Sequence, residues 1–382
     1  MRDAVIVEAV RTPVGKRGGG LSGVHPVDLS AHVLTALAER SGLDPALVDD
    51  VVWGCVGQAG EQTADIARTS VLAAGWPESV PGVTVDRQCG SSQQAVHFAA
   101  AGVVSGQYDV VVAGGVESMS RVPMGSSAMG QDPYGPRYLA RYDGAYPNQG
   151  IGAEMIARQW GLSRTRLDEF SLGSHEKAAA AQDEGRFDAQ IEPVTLEDGT
   201  VVALDEGIRR GGTLESLAGL RTAFDENGTI TAGNSSQISD GSAALLITTS
   251  AKAAELGLRP LARVHTAVLA AGDPVIMLTA PIEATRKALA RSGLAIEEIG
   301  AFEVNEAFAP VPLAWLGDLG ADVKALNPNG GAIALGHPLG GSGARLMTTL
   351  VHHIRDHGIR YGLQTMCEGG GQANATILEL LG

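Results

Sequence analysis

One strand–helix pattern occurs twice in this chain, and that repetition constrains the fold more than any other feature. Around Val51–Val96 a short apolar strand leads to a small-residue turn, a helix, a strand, then Cys89-Gly-Ser-Ser and a further helix. Around Ala301–Thr348 a strand leads to Asn305-Glu-Ala-Phe, a helix, then Gly336-His337-Pro-Leu-Gly-Gly-Ser-Gly and a further helix. Each half closes with a strand running into glycines, Val110–Gly115 in the first and Leu363–Gly371 in the second. A duplicated unit of this kind places Cys89 and His337 at equivalent ends of equivalent strands, facing one cleft.

Short Val/Ile/Leu runs predict buried strands at Ala4–Val7, Val51–Val56, Asp109–Ala113, Leu245–Thr248, Phe302–Val304 and Leu363–Met366. Ala-rich stretches between them have helical spacing, as at Ala31–Glu39, Ala64–Ala74, Gln93–Val103, Ile282–Arg291 and Ala344–Ile354. The alternation predicts an α/β fold with helices covering sheet faces. From Met119 to Ser236 the strand runs nearly vanish, and four of the six tyrosines gather at Tyr134, Tyr138, Tyr142 and Tyr146. Helices are expected there at Ala153–Trp160 and Arg166–Glu184. The expected organisation is an N-terminal half over 1–118 completed by 237–260, an inserted loop domain over 119–236, and a C-terminal half over 261–382. An inserted segment of this kind is usually a functional cover or an assembly surface.

With 28 basic against 43 acidic side chains the formal charge is −15, which argues against a nucleic-acid partner. Hydrophobic residues at 44% and charged residues at 19% exclude intrinsic disorder. Three cysteines with no CxxC pair cannot build a disulfide scaffold, and no structural metal site is expected. The apolar run at Ala4–Val10 is too short and too acidic for a signal peptide, and no stretch reaches membrane-spanning length. The final residues carry no peroxisomal or reticulum address, so a cytoplasmic protein without membrane insertion is expected.

Chemistry concentrates at four positions. Cys89 lies immediately before an Ala-rich helix, where the positive end of the dipole favours a thiolate nucleophile, and Gly90 permits a backbone N–H to face a developing oxyanion. A buried core cysteine is the bland alternative. His337, flanked by glycines, is the residue type that activates thiols. His352, His353 and His357 share a charged helix and are expected at the surface. Asn305 follows a strand end, where it could orient a water, donate to a carbonyl oxygen or cap a helix. Cys367 ends a strand and reads equally well as catalytic or core, while Cys55 reads as structural.

Taken together, Cys89-Gly-Ser-Ser, Asn305-Glu-Ala-Phe, Gly336-His337-Pro and Cys367 before Gly369-Gly-Gly closely resemble the four active-site loops of the thiolase superfamily. Val10-Arg-Thr-Pro-Val-Gly, Gly114-Gly-Val-Glu-Ser-Met-Ser, Thr231-Ala-Gly-Asn-Ser-Ser and Asp240-Gly-Ser-Ala-Ala extend the resemblance from the N-terminus to the last strand. The resemblance implies a five-layered αβαβα fold and thiolytic cleavage of 3-ketoacyl-CoA through an acyl-enzyme on Cys89. His337 would be its base and Cys367 the second acid and base. One oxyanion site would use His337 and a water held by Asn305, the other the N–H groups of Cys89 and Gly369. No cofactor is implied, because coenzyme A is a substrate.

By matching positions, Arg209, Ser216, Leu220, Phe224, Ala232 and Ser236 would contact CoA, with Phe308 nearer the reactive end. Short-chain members place a methionine step where this chain has Asn148-Gln149-Gly150, which favours longer or bulkier acyl groups and resembles actinobacterial enzymes that degrade steroid-derived acyl-CoAs. Glu368-Gly-Gly-Gly departs from the commoner Ile-Gly-Gly-Gly form. The alternatives are a short-chain acetoacetyl-CoA thiolase, a ketoacyl synthase-type condensing enzyme, which lacks a second catalytic cysteine, and a non-catalytic acyl-CoA-binding relative. The resemblance also implies a homodimer or homotetramer.

Overall fold

The computed structural model describes residues 2–381. The first half contains β1 (Val5–Arg11), β2 (Gly15–Lys16), α1 (Pro26–Ser41), β3 (Asp50–Gly54), α2 (Ile66–Ala73), β4 (Gly82–Val85), α3 (Ser91–Ser105) and β5 (Val110–Ser118). The middle segment holds α4 (Gly135–Arg141), α5 (Gln149–Gln159), α6 (Arg164–Asp183), the small hairpin β6 (Val194–Thr195) and β7 (Val201–Val202), and α7 (Leu214–Ala218). The chain then returns with β8 (Ser239–Thr248) and α8 (Ser250–Leu256). The second half follows as β9 (Ala262–Ala271), α9 (Ala280–Ser292), β10 (Ala301–Val304), α10 (Pro310–Leu319), α11 (Ala332–Leu335), α12 (Leu339–His357), β11 (Tyr361–Glu368) and β12 (Gln372–Leu380).

The duplication is visible in the strand pairing. In the first half β3 and β5 run parallel, β5 pairs antiparallel with β8, and β8 pairs antiparallel with β1. In the second half β10 and β11 run parallel, β11 pairs antiparallel with β12, and β12 pairs antiparallel with β9. The two half-sheets are joined where Val5 and Ile6 pair with Arg263 and Ala262.

Strand alternation sorts the core into layers. Val51, Trp53, Val110, Val112 and Leu246 face α1 and α2. The alternate residues Val52, Val111, Ala113, Leu245 and Ile247 face α3 and α12. On the far side Phe302, Val304, Leu363 and Ile377 pack on α9 and on Trp315 of α10. The result is the five-layered αβαβα arrangement, with α3 and α12 as the central layer. That position overturns the surface reading of two histidines. His352 is 2% exposed and its Nε2 lies 3.1 Å from the Ala9 carbonyl, while buried His353 faces the Asn329 amide at 3.3 Å. A helix packed between two sheets has no solvent face along most of its length, so its polar residues must find partners inside.

Strands β9 and β12 escaped the search for apolar runs. β9 mixes Arg263, His265 and Thr266 into its apolar positions, and β12 opens on Gln372-Ala-Asn-Ala-Thr. Their identity as strands comes from sheet pairing, not from composition.

The middle segment is tied to β1 by a buried ion pair. Arg11, fully buried, donates to both oxygens of Asp205 at 2.7 and 2.9 Å and to Gln190 Oε1 at 2.8 Å, with its guanidinium 5.1 Å from the Phe187 ring centre. Asp205→Ala would strand the buried guanidinium. Loss of about 3–5 kcal/mol in urea denaturation is expected, and a loss below about 1 kcal/mol would show that the pair is not what holds the segment.

Candidate active site

Two helix starts meet at the centre of the molecule. Ala344 N–H, in the first turns of α12, donates to Ser92 Oγ in the first turn of α3 at 2.8 Å. Gly343 approaches so closely that a methyl on it would lie 2.3 Å from the Gln93 nitrogen, a distance only glycine permits. Gln364 of β11 bridges both helices, donating to Gln93 Oε1 at 3.0 Å and to the Gly343 carbonyl at 2.8 Å. Cys89 and His337 directly precede these helices, so packing of the helix starts brings their loops together.

Asn305 follows β10, where its N–H is held by the Thr365 carbonyl at 3.1 Å. Its Nδ2 faces His337 Nε2 at 3.3 Å, and its Oδ1 has no partner among the described residues. Ser342 donates its hydroxyl proton to the Pro338 carbonyl at 2.8 Å and lies 2.6 Å from His337 Nδ1. Having spent its one proton, Ser342 can only accept from Nδ1–H, so Nε2 is the unprotonated nitrogen and accepts from the Asn305 amide. Burial, with the Arg345 guanidinium assisting, pulls the imidazole down to about 3, so His337 is a neutral base across the physiological range. Ser342 lay inside a quoted motif but drew no role from sequence. Its signal is the five-residue spacing from His337 across a helix start.

The thiols differ from the sequence expectation. Burial, with Glu368 and Glu117 nearby, pushes Cys89 up to about 12, and burial beside Cys89 pushes Cys367 well above an ordinary thiol. The helix start does not outweigh desolvation, so the resting residue is a thiol and not a thiolate. Cys367 is 1% exposed and packs with Ala307 and Phe308. Gly369, half-buried, lies two residues on, with Gln88 packed against it. Glu117, at the end of β5, accepts from the N–H groups of Val56, Gly57 and Gly340 and from Gln62. It thereby ties the His337 loop to the first half, a role sequence reasoning missed.

The remaining positions form a strip leading away from Phe308. The Phe308 ring makes an edge-on contact with Phe224, 5.9 Å between centres, and Ser236 N–H donates to the Ala307 carbonyl at 2.9 Å. Leu220 packs on Gly233, next to exposed Ala232. Leu220 and Phe224 are 37% and 39% exposed, so neither is core. Arg209 is exposed and its guanidinium has no partner among the described residues, whereas Arg210 is held bidentately by Asp183 at 2.7 Å. Ser216 lies in the first turn of α7, where its hydroxyl serves the cap with Thr213.

Asn148 caps α5, its Oδ1 accepting from Gly150 and Ile151. Gln149 turns to the Met124 sulfur at 3.8 Å, and Phe224 fills the space over Gly150. Beyond this turn a groove of about 590 Å³ runs between Arg141–Ala145 and Gly272–Val275. The latter loop packs on Gly371, just beyond Cys367. No helix is long and apolar enough to cross a membrane, and no cluster of His, Cys, Asp and Glu suits a metal among the described residues.

Comparison with known proteins agrees with this architecture. The family described as "Thiolase, N-terminal domain" matches residues 4–251, and "Thiolase, C-terminal domain" matches residues 258–380. The chain is 51% identical to the steroid 3-ketoacyl-CoA thiolase FadA6 of Mycobacterium tuberculosis, covering 100% of this chain and 95% of that one. It is 46% identical to 3-ketoacyl-CoA thiolases of Pseudoalteromonas translucida and Escherichia coli, covering 99% of this chain and at least 99% of each relative. The two matched halves, the duplicated pairing and the full-length identity make the chain a member of the thiolase family, an acyltransferase.

Proposed function

We propose that this enzyme cleaves 3-ketoacyl-CoA with free CoA, giving acetyl-CoA and a shortened acyl-CoA, through an acyl-enzyme on Cys89. The observation that carries the reading is the neutral His337, whose Nδ1–H is spent on Ser342 and whose Nε2 is therefore a base in the loop packed against that of Cys89. Nε2 takes the Cys89 proton as sulfur attacks the 3-keto carbon. The resulting Nε2–H, with a water held by Asn305, then faces one negative oxygen, and the Cys89 and Gly369 N–H groups face the other. Carbon–carbon cleavage expels the acetyl-CoA enolate, which takes a proton from Cys367. The Cys367 thiolate then deprotonates incoming CoA, whose sulfur releases the acyl group from Cys89. No other group is asked to carry electrons, and CoA enters as a substrate.

The CoA chain would follow the strip from Phe308 through Phe224, Ser236, Ala232 and Leu220 to Ser216, with unpaired Arg209 as the cation for a phosphate. Residues 119–236 then act as the cover that carries this strip, between halves at 1–118 completed by 237–260 and at 261–382. The acyl group would lie toward Gln149 and Asn148 and extend into the groove beside Gly272–Val275, which suits chains bulkier than acetoacetyl. A steroid-named relative at 51% identity supports that choice. The reading further assigns a cytoplasmic homodimer through the edge strand β4, where exposed Val83, with Phe98 and Val104 of α3, leaves an apolar margin. Two dimers would pair through the loop carrying exposed Met124, Met129 and Tyr146.

Three measurements test this. Mass spectrometry after incubation with acetyl-CoA should show an added acetyl on the parent and none on Cys89→Ala. Cys367→Ser should keep partial acetylation while thiolysis collapses, because a hydroxyl is a far weaker acid. Acetylation persisting in Cys89→Ala would remove the nucleophile assignment, and near-parent turnover in Cys367→Ser would make Cys367 structural.

Ser342→Ala frees the imidazole to exchange its proton between nitrogens. A fall in kcat of about 10²–10⁴-fold is expected, with Ser342→Thr restoring much of it. An unchanged kcat would mean that His337 does not depend on this bond.

Finally, kcat/KM for a ring-bearing or medium-chain 3-ketoacyl-CoA should exceed that for acetoacetyl-CoA. Each well-buried methylene is worth about 1–3 kcal/mol. A preference for acetoacetyl-CoA would make the enzyme an acetyl-CoA acetyltransferase.

A further inference from the structure

Glu368 follows Cys367 at the end of β11, and the mechanism above leaves it unused. Along β11 alternate side chains face opposite ways: Cys367 joins Phe308, whereas Met366 joins Cys89. Glu368 falls on the Met366 side. It is fully buried, and neither carboxyl oxygen has a hydrogen-bond partner among the described residues. Its carboxyl is packed against Gly90, the residue after Cys89 and the cap of α3. A methyl on Gly90 would lie 2.0 Å from Glu368 Oε1 and 2.7 Å from Asn374 Nδ2. Asn374 in turn donates to the Gly90 carbonyl at 3.1 Å, binding β12 to the same corner. An ordinary surface role for Glu368 is therefore closed off.

We propose that the Glu368 carboxyl, seated between β12 and the start of α3, sets how readily Cys89 ionises. The inference rests on Cys89 being the nucleophile. Its physical basis is competition for one helix start. The dipole of α3 offers about half a unit of positive charge, enough to favour one adjacent anion. A carboxylate there and a thiolate on Cys89 would repel across a short, poorly screened distance.

The other groups around this corner do not relieve the conflict. From the loop before α3, Arg87 attracts the Glu368 anion while Asp86 repels it, and Arg87 Nη1 is already bonded to Gln372 Oε1 at 2.9 Å. Burial dominates over these charges and pushes the Glu368 carboxyl up to about 8. From β5, Glu117 also opposes a Cys89 anion, but its oxygens are occupied by three backbone N–H groups and Gln62. Along α3, buried His97 bonds Thr376 at 2.7 Å and is pulled down to about 3, so it brings no charge. Cys367, on the same strand, is a thiol held up by its own burial. At neutral pH Glu368 is thus mostly the acid. As pH rises through about 8 it becomes an anion, and Cys89 becomes harder to ionise just as the medium favours ionisation.

The test is the rate at which iodoacetamide alkylates Cys89 in the full-length protein from about pH 6 to 10, a range spanning ordinary thiol titration. Peptide mass spectrometry identifies Cys89 as the site. In the parent the rate should climb with pH and then flatten near the Glu368 titration. In Glu368→Gln, which keeps the shape and stays neutral, it should climb without a break and be roughly tenfold faster at the alkaline end. Glu368→Asp should keep the break. Superimposable parent and Glu368→Gln profiles would overturn the proposal. Should Glu368→Gln fail to fold, a parent profile following a single thiol without a break overturns it equally. Alkylation needs no thiolase turnover. Loss of the acetyl adduct would sink the nucleophile reading, whereas a Cys89 that acylates but shows no break sinks only the role of Glu368.

Discussion

The structure depends on two helices starting at the same place. α3 and α12 belong to different halves of a duplicated chain, yet their first turns touch backbone to side chain through Ser92 and Ala344. Nothing larger than glycine fits at Gly343. Gln364 reaches in from β11 and bonds both helices, so a strand of the second half is locked to a helix of the first. Glu117 does the reciprocal work from β5, gathering N–H groups from the Val56 turn and from Gly340. These polar contacts are buried, which makes their geometry strict: each unsatisfied group would cost about 1–3 kcal/mol. The cleft between the halves is therefore positioned by interior hydrogen bonding and not by surface loops.

Burial also decides the resting chemistry. The same desolvation that keeps His337 neutral keeps Cys89 and Cys367 protonated. A neutral base beside a neutral thiol carries no standing charge, so the site can be built inside a packed interior without an uncompensated ion. In the proposed reaction the ion pair would arise only when sulfur attacks, at which moment the carbonyl oxygen would become the anion and the oxyanion donors would answer it. A preformed thiolate at a helix start, the picture drawn from sequence, would have required a nearby cation. Arg87, two residues before Cys89, has its guanidinium bonded to Gln372 instead.

Much of this was legible beforehand. The duplicated order of strand, loop and helix was visible because Cys89 and His337 each stand before an Ala- or Gly-rich helix, and the strand pairing repeats the same order in both halves. The positions that resisted reading share one cause. His352 and His353 look like surface residues until α12 is seen between two sheets. β9 and β12 mix polar residues into their apolar positions, and their place in the sheet comes from neighbours distant in sequence. Ser342, Glu117 and Glu368 are ordinary polar residues whose meaning is their burial, a property that no single-chain pattern displays. Asn148 and Gln149 illustrate the converse. Their types drew a pocket reading, and no pattern in the sequence signalled that Asn148 also caps α5 or that Gln149 reaches Met124.

The inserted segment closes the physical argument. It has little core of its own and is fastened by Asp205 to Arg11 and by Ser174 to Glu306, a carboxylate that Asn327 also holds. Both ties are buried and charged, and both attach to elements adjoining the cleft: β1 leads into the first half, and Glu306 follows Asn305. Charged anchors of this kind hold orientation more strictly than apolar contact does, because a small displacement leaves an ion unpaired. The segment carries Phe224 against Phe308, and Phe308 against Cys367. Orientation imposed at the anchors is thus passed by direct packing to the wall beside the second thiol. The segment and the wall beside Cys367 are one continuous line of packed side chains.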